Sequence, residues 1–382
     1  MGTDPLAVVR AMAGARDGIV TLAQARTAGL TVHDVHRLCR SGRWRAVIRG
    51  GYLVDADCYD GIPRRARIRA AVASFGAPAA AVLTTAAELH GIAGPRSTQA
   101  IHLSMPGPVA RHSRLAHPEV VVHQLTVAPG QLVRLDGIAV TSPLRTVADL
   151  VLREDRYTAV CVLDSALNRG LVTDDDLLAV SRLIRGRRGA VAARSHLAEA
   201  DGRAQSPLET RTRLRCVDGR VPPDALQLEV RDDDGYLLGI GDLGWRGPRV
   251  IAEADGRGPH GTPEAVHADR RRQNRLVNAG WTILRFTWAD TLHPAYVPDT
   301  VRRAIAVGEG VSRMRVCAYF FLVVGGGSMR SRSGWLRIRP SSSWSRRPVI
   351  PALLRSPRCG ASIRAIRRAW PRWRWRPGPT WW

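Results

Sequence analysis

Apolar and polar positions change period along this 382-residue chain, and the changes divide it. Over residues 6–13, 22–28 and 32–40 the apolar positions recur at helical spacing, with Val32, Val35, Leu38 and Cys39 expected on the buried side of the third helix. Thr21 and Thr31 stand as N-caps, and Gly29 terminates the second helix. From Gly42 to Val54 the pattern alternates, as in a hairpin turning at Gly50-Gly51. Two helices joined by a short turn, then a hairpin, predict a winged helix-turn-helix over residues 1–55.

Residues 56–200 mix both periods and predict an α+β region. Helices are expected over 64–74, 79–89, 143–152, 159–168, 174–183 and 189–200, and strands over 100–104, 120–126 and 135–140. The basic connector 183–189 precedes the last domain, residues 201–306. There Ser206 caps a helix with Pro207 at its first position and Glu209 as a capping-box acid. Strands are expected over 226–231, 236–243 and 249–255, then a polar helix over 263–278, an apolar strand over 280–286, and short helices over 288–292 and 297–306. The expected fold class is α/β overall, with a C-terminal domain of order αβββαβ.

Periodicity is lost after residue 306. Residues 307–382 hold sixteen Arg, seven of the eleven Trp and a single acid, Glu309. One reading is an arm that neutralises phosphates and stacks on bases. The preferred reading is a shifted frame in a GC-rich gene, extending the true end near Ala306, and this tail is expected to be disordered.

Charge then narrows the partner. The formal net charge of +24 points to a polyanion, most simply nucleic acid. Every basic residue is Arg, which removes Lys-dependent chemistry. Six Cys without a CxxC pair argue against a zinc site or a disulfide framework. His33 and His36 lack a nearby third ligand. With no leader-like N-terminus and an apolar run, 316–324, too short to span a bilayer, a cytoplasmic location without membrane association is expected.

Two groups of residues carry candidate chemistry. Arg37, Arg40, Arg43, Arg45 and Arg49 lie on the third helix and the wing, where they would meet phosphates. In the last domain, Asp242 is expected at the end of one strand and Glu253 and Asp255 near the end of the next, with a turn built on Gly244, Gly247 and Pro248. Ile251, Glu253 and Asp255 share one face of that strand. Acids gathered at one sheet end repel one another unless a cation joins them, and oxygen donors suit Mg²⁺ or Mn²⁺. The alternative is a solvated strand end, but Asp242 and Glu253 interrupt otherwise apolar strands, where an acid is costly.

Two family resemblances attach to these residues. Gly18-Ile-Val-Thr-x₂-Gln-Ala, Arg43-Trp-Arg-x₃-Arg-Gly-x-Tyr-Leu-Val and Val140-Thr-Ser-Pro-Leu-Arg-Thr-Val-Ala-Asp-Leu150 resemble the winged-helix and middle segments of AbiEi-type antitoxins. This resemblance implies DNA binding, commonly at the promoter of a toxin operon. The ordered set Glu209, Asp242, Glu253-Ala-Asp255, Asp269-x-x-Arg-x-Asn274 and Gly280-Trp-x-x-Leu-Arg-Phe is similar to the Vsr-like branch of the PD-(D/E)XK endonucleases. It implies metal-dependent phosphodiester hydrolysis, with Asp242 and Glu253 as metal ligands, Glu209 holding a ligand or water, and Arg272 and Asn274 bracing the site or a phosphate. Asp255 stands where that family usually has Lys, so His260 is either a general base or a loop residue. The rival is a non-catalytic antitoxin or repressor. DNA and RNA, and the oligomeric state, are not separated by sequence.

Overall fold

The computed structural model describes residues 4–105, 117–256 and 263–309. Residues 310–382, with the expected disorder of the tail, lie outside the described residues, and so does His260. No helix among the described residues is long and apolar enough to cross a membrane.

The chain opens with α1 (Pro5–Gly14), β1 (Ile19–Thr21), α2 (Leu22–Thr27), α3 (Val32–Arg40), β2 (Arg45–Ile48) and β3 (Gly51–Leu53). Capping boxes start both helices of the turn: Thr21 with Gln24, and Thr31 with Asp34. Val9, Val20, Ala25, Val35, Leu38 and Trp44 form the small core. Val32, expected inside, is exposed, because the first turn of α3 projects past that core. β1 joins the wing as a third strand, in the order β1-β3-β2. Three residues are too few to show an alternating pattern, so the sequence did not signal it.

The middle region holds α4 (Arg64–Phe75), β4 (Ala80–Ala81), α5 (Leu83–His90), β5 (Ile101–Ser104), β6 (Val120–His123), β7 (Leu132–Leu135), β8 (Ile138–Thr141), α6 (Pro143–Val151), α7 (Arg156–Asn168), α8 (Asp176–Ile184) and α9 (Ala190–Leu197). Its sheet runs β6-β5-β4-β8-β7. Two expectations are corrected here. Residues 79–89 are not one helix: Ala80–Ala81 pair with β5 and β8 before α5 begins. Residues 135–140 are not one strand: Asp136 (φ 48°) and Gly137 (φ 85°) turn β7 back into β8. Two consecutive left-handed residues match the twist of a two-residue hairpin, which is what an Asp-Gly pair favours. Ile19, Ile48 and Leu53 of the winged helix share one core with Ile68 and Phe75 of α4 and Leu103 of β5. A second core, under α5 to α9, gathers Val82, Val147, Leu150, Leu163 and Ile184.

The last part holds α10 (Pro207–Asp218), β9 (Ala225–Arg231), β10 (Leu237–Trp245), β11 (Val250–Ala254), α11 (Pro263–Asn278), β12 (Thr282–Phe286) and a final helix, α12, over residues 296–309. The αβββαβ order is thus present. The sheet runs β12-β11-β10-β9, antiparallel from β9 to β11 and parallel between β11 and β12. β10 is longer than expected, so Asp242 lies within the strand and the turn falls at residues 246–249. Gly244 is a ladder residue, opposite Ala225 and Ile251. A Cβ there would sit 2.3 Å from Leu228 Cδ2, so glycine lets the neighbouring side chain lie flat on the strand.

α7 and α10 are joined by buried charge. Asp164, 1% exposed, accepts from Arg213 Nη2 (2.9 Å), Thr210 Oγ1 (2.8 Å) and the Asp201 backbone N–H (2.7 Å). Nearby, Arg156 Nη1 (2.7 Å) and Tyr157 Oη (2.6 Å) both donate to Asp218. Removing one partner of such a pair strands the other charge away from water. Asp164→Ala should therefore destabilise the protein by about 3–5 kcal/mol. Urea unfolding followed by circular dichroism reads this as a lower midpoint, and an unchanged midpoint would show that α7 and α10 do not depend on the tie.

Candidate functional site

On the winged helix, Arg37, Arg40, Arg43, Arg45 and Arg49 are all exposed, on the last turns of α3 and on the wing. Two contacts hold that arrangement. Trp44 is buried and its backbone N–H donates to Leu38 O (3.0 Å), which fixes where the wing leaves the helix. Asp34, its carboxyl held below the usual range by hydrogen bonds from Thr31, also receives Arg37 Nη2 at 3.0 Å. His33 and His36 are exposed on the same helix.

The acids of the last part meet in an open pocket of about 280 Å³ lined by Asp242, Glu253, Ala254, Asp255, Asp269, Arg272 and Arg285. Glu253 projects from β11 and is 8% exposed. Its Oε1 lies 2.9 Å from Arg272 Nη2 and its Oε2 3.3 Å from Arg285 Nε. The same two guanidinium groups hold Asp269, at 2.8 and 2.7 Å. Two carboxylates and two arginines thus close a ring. The parallel register places Arg285 directly beside Glu253, and α11 lays Arg272 over the sheet, where its Nη1 donates to Ile240 O (2.8 Å).

Asp242 is less well provided for. Its Oδ2 accepts from the Ala254 backbone N–H (2.8 Å). Burial pushes its pKa up, and the charge of Glu209 adds to that rise. Glu209, from the first turn of α10, is itself buried. It is not the capping-box acid expected: its Oε2 accepts from the Gln205 backbone N–H (2.9 Å) and from Gln227 Nε2 (2.9 Å). Gln227 adopts φ 49° inside β9, a strained conformation for a non-glycine residue, and one that accompanies the aim of its amide at Glu209. Burial likewise raises the pKa of Glu253, against the pull of Arg272 and Arg285. Asp255 stands exposed at the pocket rim, and Asn274 is exposed on α11 and does not line the pocket.

Oxygen donors from two adjacent strands are the right chemistry for a divalent cation. As placed, though, both oxygens of Glu253 face guanidinium groups. Among the described residues no three His, Cys, Asp or Glu side chains are grouped to hold a metal ion. The residues therefore do not form a ready metal cage, and arginine supplies the positive charge beside Glu253. Sequence reasoning missed Gln205, Gln227 and Arg285 as members of this site. Arg285 was visible within the final apolar strand, but only the parallel pairing of β12 with β11 sets it against Glu253.

Residues 79–199, from β4 to α9, match the family model for the AbiEi antitoxin C-terminal domain. Two proteins of Mycobacterium tuberculosis, uncharacterized protein MT2308 and uncharacterized protein Rv2248, are each 33% identical over 218 residues, covering 57% of this chain and 78% of theirs. The protein is therefore a multi-part α/β protein whose residues 79–199 are similar to the AbiEi antitoxin C-terminal domain, and the chain belongs to the family of these two mycobacterial proteins. The crystal structure of the RV2827C protein from Mycobacterium tuberculosis matches at 17% identity with a TM-score of 0.34, covering 51% of this chain and 80% of that one. The AbiEi match bears out the resemblance read from the middle segment, and it does not extend to the carboxylate pocket.

The pocket has a signature in stability. Asp242 carries a pKa raised above its ordinary 3.8, so the folded state binds its proton more tightly than the unfolded state. Stability from this group is therefore lost as pH rises from 3.8 through the raised value, and the full cost remains at neutral pH. Asp242→Asn keeps an oxygen for the Ala254 N–H and removes the charge. It should raise stability at pH 7 by about 0.5–2 kcal/mol, the common size of a stabilising substitution, with the gain shrinking toward pH 4. Urea titrations across that range measure it; a variant less stable than the parent at pH 7 would contradict the assignment.

Proposed function

We propose that this protein is a DNA-binding regulator of the antitoxin class, reading duplex DNA with α3 and the wing. The observation that carries the reading is the run of five exposed arginines, Arg37 to Arg49, on a helix-turn-helix stiffened by two capping boxes and by buried Trp44. Phosphate contacts from such arginines set register and supply affinity, while the exposed face of α3 meets base edges in the major groove. The AbiEi match over residues 79–199 supports the same reading, and the natural target is the promoter of an operon encoding a toxin. The protein should shift a fragment of its own promoter in a salt-sensitive way. Arg40→Ala, Arg43→Ala and Arg45→Ala should each reduce the slope of log affinity against log salt by about one. Slopes equal to the parent's in all three would place DNA elsewhere.

A second reading is favoured by one arrangement: in an αβββαβ domain Asp242 from β10 and Glu253 from β11 line one pocket, and the charge of Glu209 from α10 acts on Asp242. It makes the pocket a phosphodiester-hydrolysing centre with Asp242 and Glu253 as candidate ligands of Mg²⁺ or Mn²⁺. Glu253 would first have to turn from its arginines. Supercoiled plasmid with Mg²⁺ or Mn²⁺ separates the readings. Nicking by the parent and its loss in Asp242→Asn would support hydrolysis. Intact plasmid with every metal, alongside a promoter shift, would leave the regulator alone.

A further inference from the structure

A second cavity, of about 660 Å³, lies at the seam between the winged helix and the middle sheet. It exists because β4 is short: β4 pairs with β8 only at Ala81 and Val140, so Ile138 and Ala139 have no strand on that side. The space left is walled by β1 and α2 of the winged helix, the end of α4 and the β7–β8 hairpin. Its size suits a small organic molecule, which commonly occupies about 300–1,000 Å³.

The lining combines apolar side chains, among them Val72, Pro78 and Ile138, with the three arginines Arg16, Arg69 and Arg134. Arg69 is 7% exposed; its Nε donates to Asp17 (2.6 Å) and its Nη1 to the Asp136 carbonyl (2.8 Å), and among the described residues Nη2 makes no hydrogen bond. Arg134 spends one nitrogen on Gly137 O (3.2 Å). The Arg16 guanidinium makes no hydrogen bond or ion pair among the described residues. The one acid in the lining, Asp136, is already taken by Arg65 from outside it. A buried guanidinium with a spare N–H pair, beside two further arginines and an apolar wall, is matched to an anionic group on an apolar body.

We infer that this seam cavity binds a small organic anion, a carboxylate or phosphate carried on a ring. The anionic group meets Arg16, Arg69 and Arg134, and the ring lies against Val72 and Ile138. Because Arg16 belongs to the winged helix and Arg69 and Arg134 to the middle region, the bound anion bridges the two. Its binding free energy is thereby coupled to the position of the DNA-reading helices, and DNA must alter its affinity by the same factor. Anion binding stands independently of both functional readings; its coupling to DNA rests on the regulator reading.

Calorimetric titration of the full chain with benzoate, phenyl phosphate and neutral benzyl alcohol tests it. One of the two anions should bind at least tenfold more tightly than the alcohol, and which one does so distinguishes carboxylate from phosphate. Arg16→Ala, a side chain with no partner to lose, should weaken that binding at least tenfold. Ala73→Trp, which fills the cavity from α4, should abolish it. Failure of both anions to bind better than benzyl alcohol, or binding unchanged in Arg16→Ala, would overturn the proposal.

Discussion

Between α7 and α10 the carboxylate of Asp164 accepts from Arg213, Thr210 and the Asp201 backbone, and similar ties recur at three other places in the fold. Asp149, fully buried, is gripped by Arg145 and Arg187 and so locks α6 to the segment after α8. Asp17 of the winged helix is held by Arg65 and Arg69 of α4. Glu253 is held by Arg272 and Arg285. Arginine is the only basic residue available, and its planar fork can serve two acceptors at once. A buried acid paired in this way escapes most of the penalty of leaving water, and the pair fixes the angle between the elements that carry it.

That constraint shapes both functional regions. Because Ile19, Ile48 and Leu53 share a core with α4, the wing is not a loose appendage, and its arginines are presented from a surface anchored to the middle sheet. In the carboxylate pocket Asp242 has one backbone N–H as its hydrogen-bond partner, with the attraction of Arg272 set against a like charge at Glu209. The neighbouring acid, Glu209, is held by Gln227, whose φ of 49° is strained for a non-glycine residue.

Much of the architecture was legible along the chain. Thr21 and Thr31 marked their helices, because a hydroxyl before an apolar stripe satisfies N–H groups the helix cannot. Ser206 and Pro207 marked α10 for the same reason. Two of the shortest elements were not legible: β1 and β4 are strands only because a partner strand lies beside them. The Asp136-Gly137 hairpin was written in the residues but read through, since its flanks are apolar on both sides of the turn.

The sequence by itself determined the αβββαβ order, the exposed arginines of α3 and the wing, and the interruption of apolar strands by Asp242 and Glu253. Each follows from a periodicity or a cost that one stretch of chain carries alone. Only the tertiary structure decided which charges meet. Glu209 proved to be a buried acid held by Gln227 from another strand, and Arg285 became the neighbour of Glu253 through parallel pairing. The seam cavity follows from a strand too short to fill its place beside β8. Charge interactions depend on distance and burial, and these are properties of the folded chain rather than of its order.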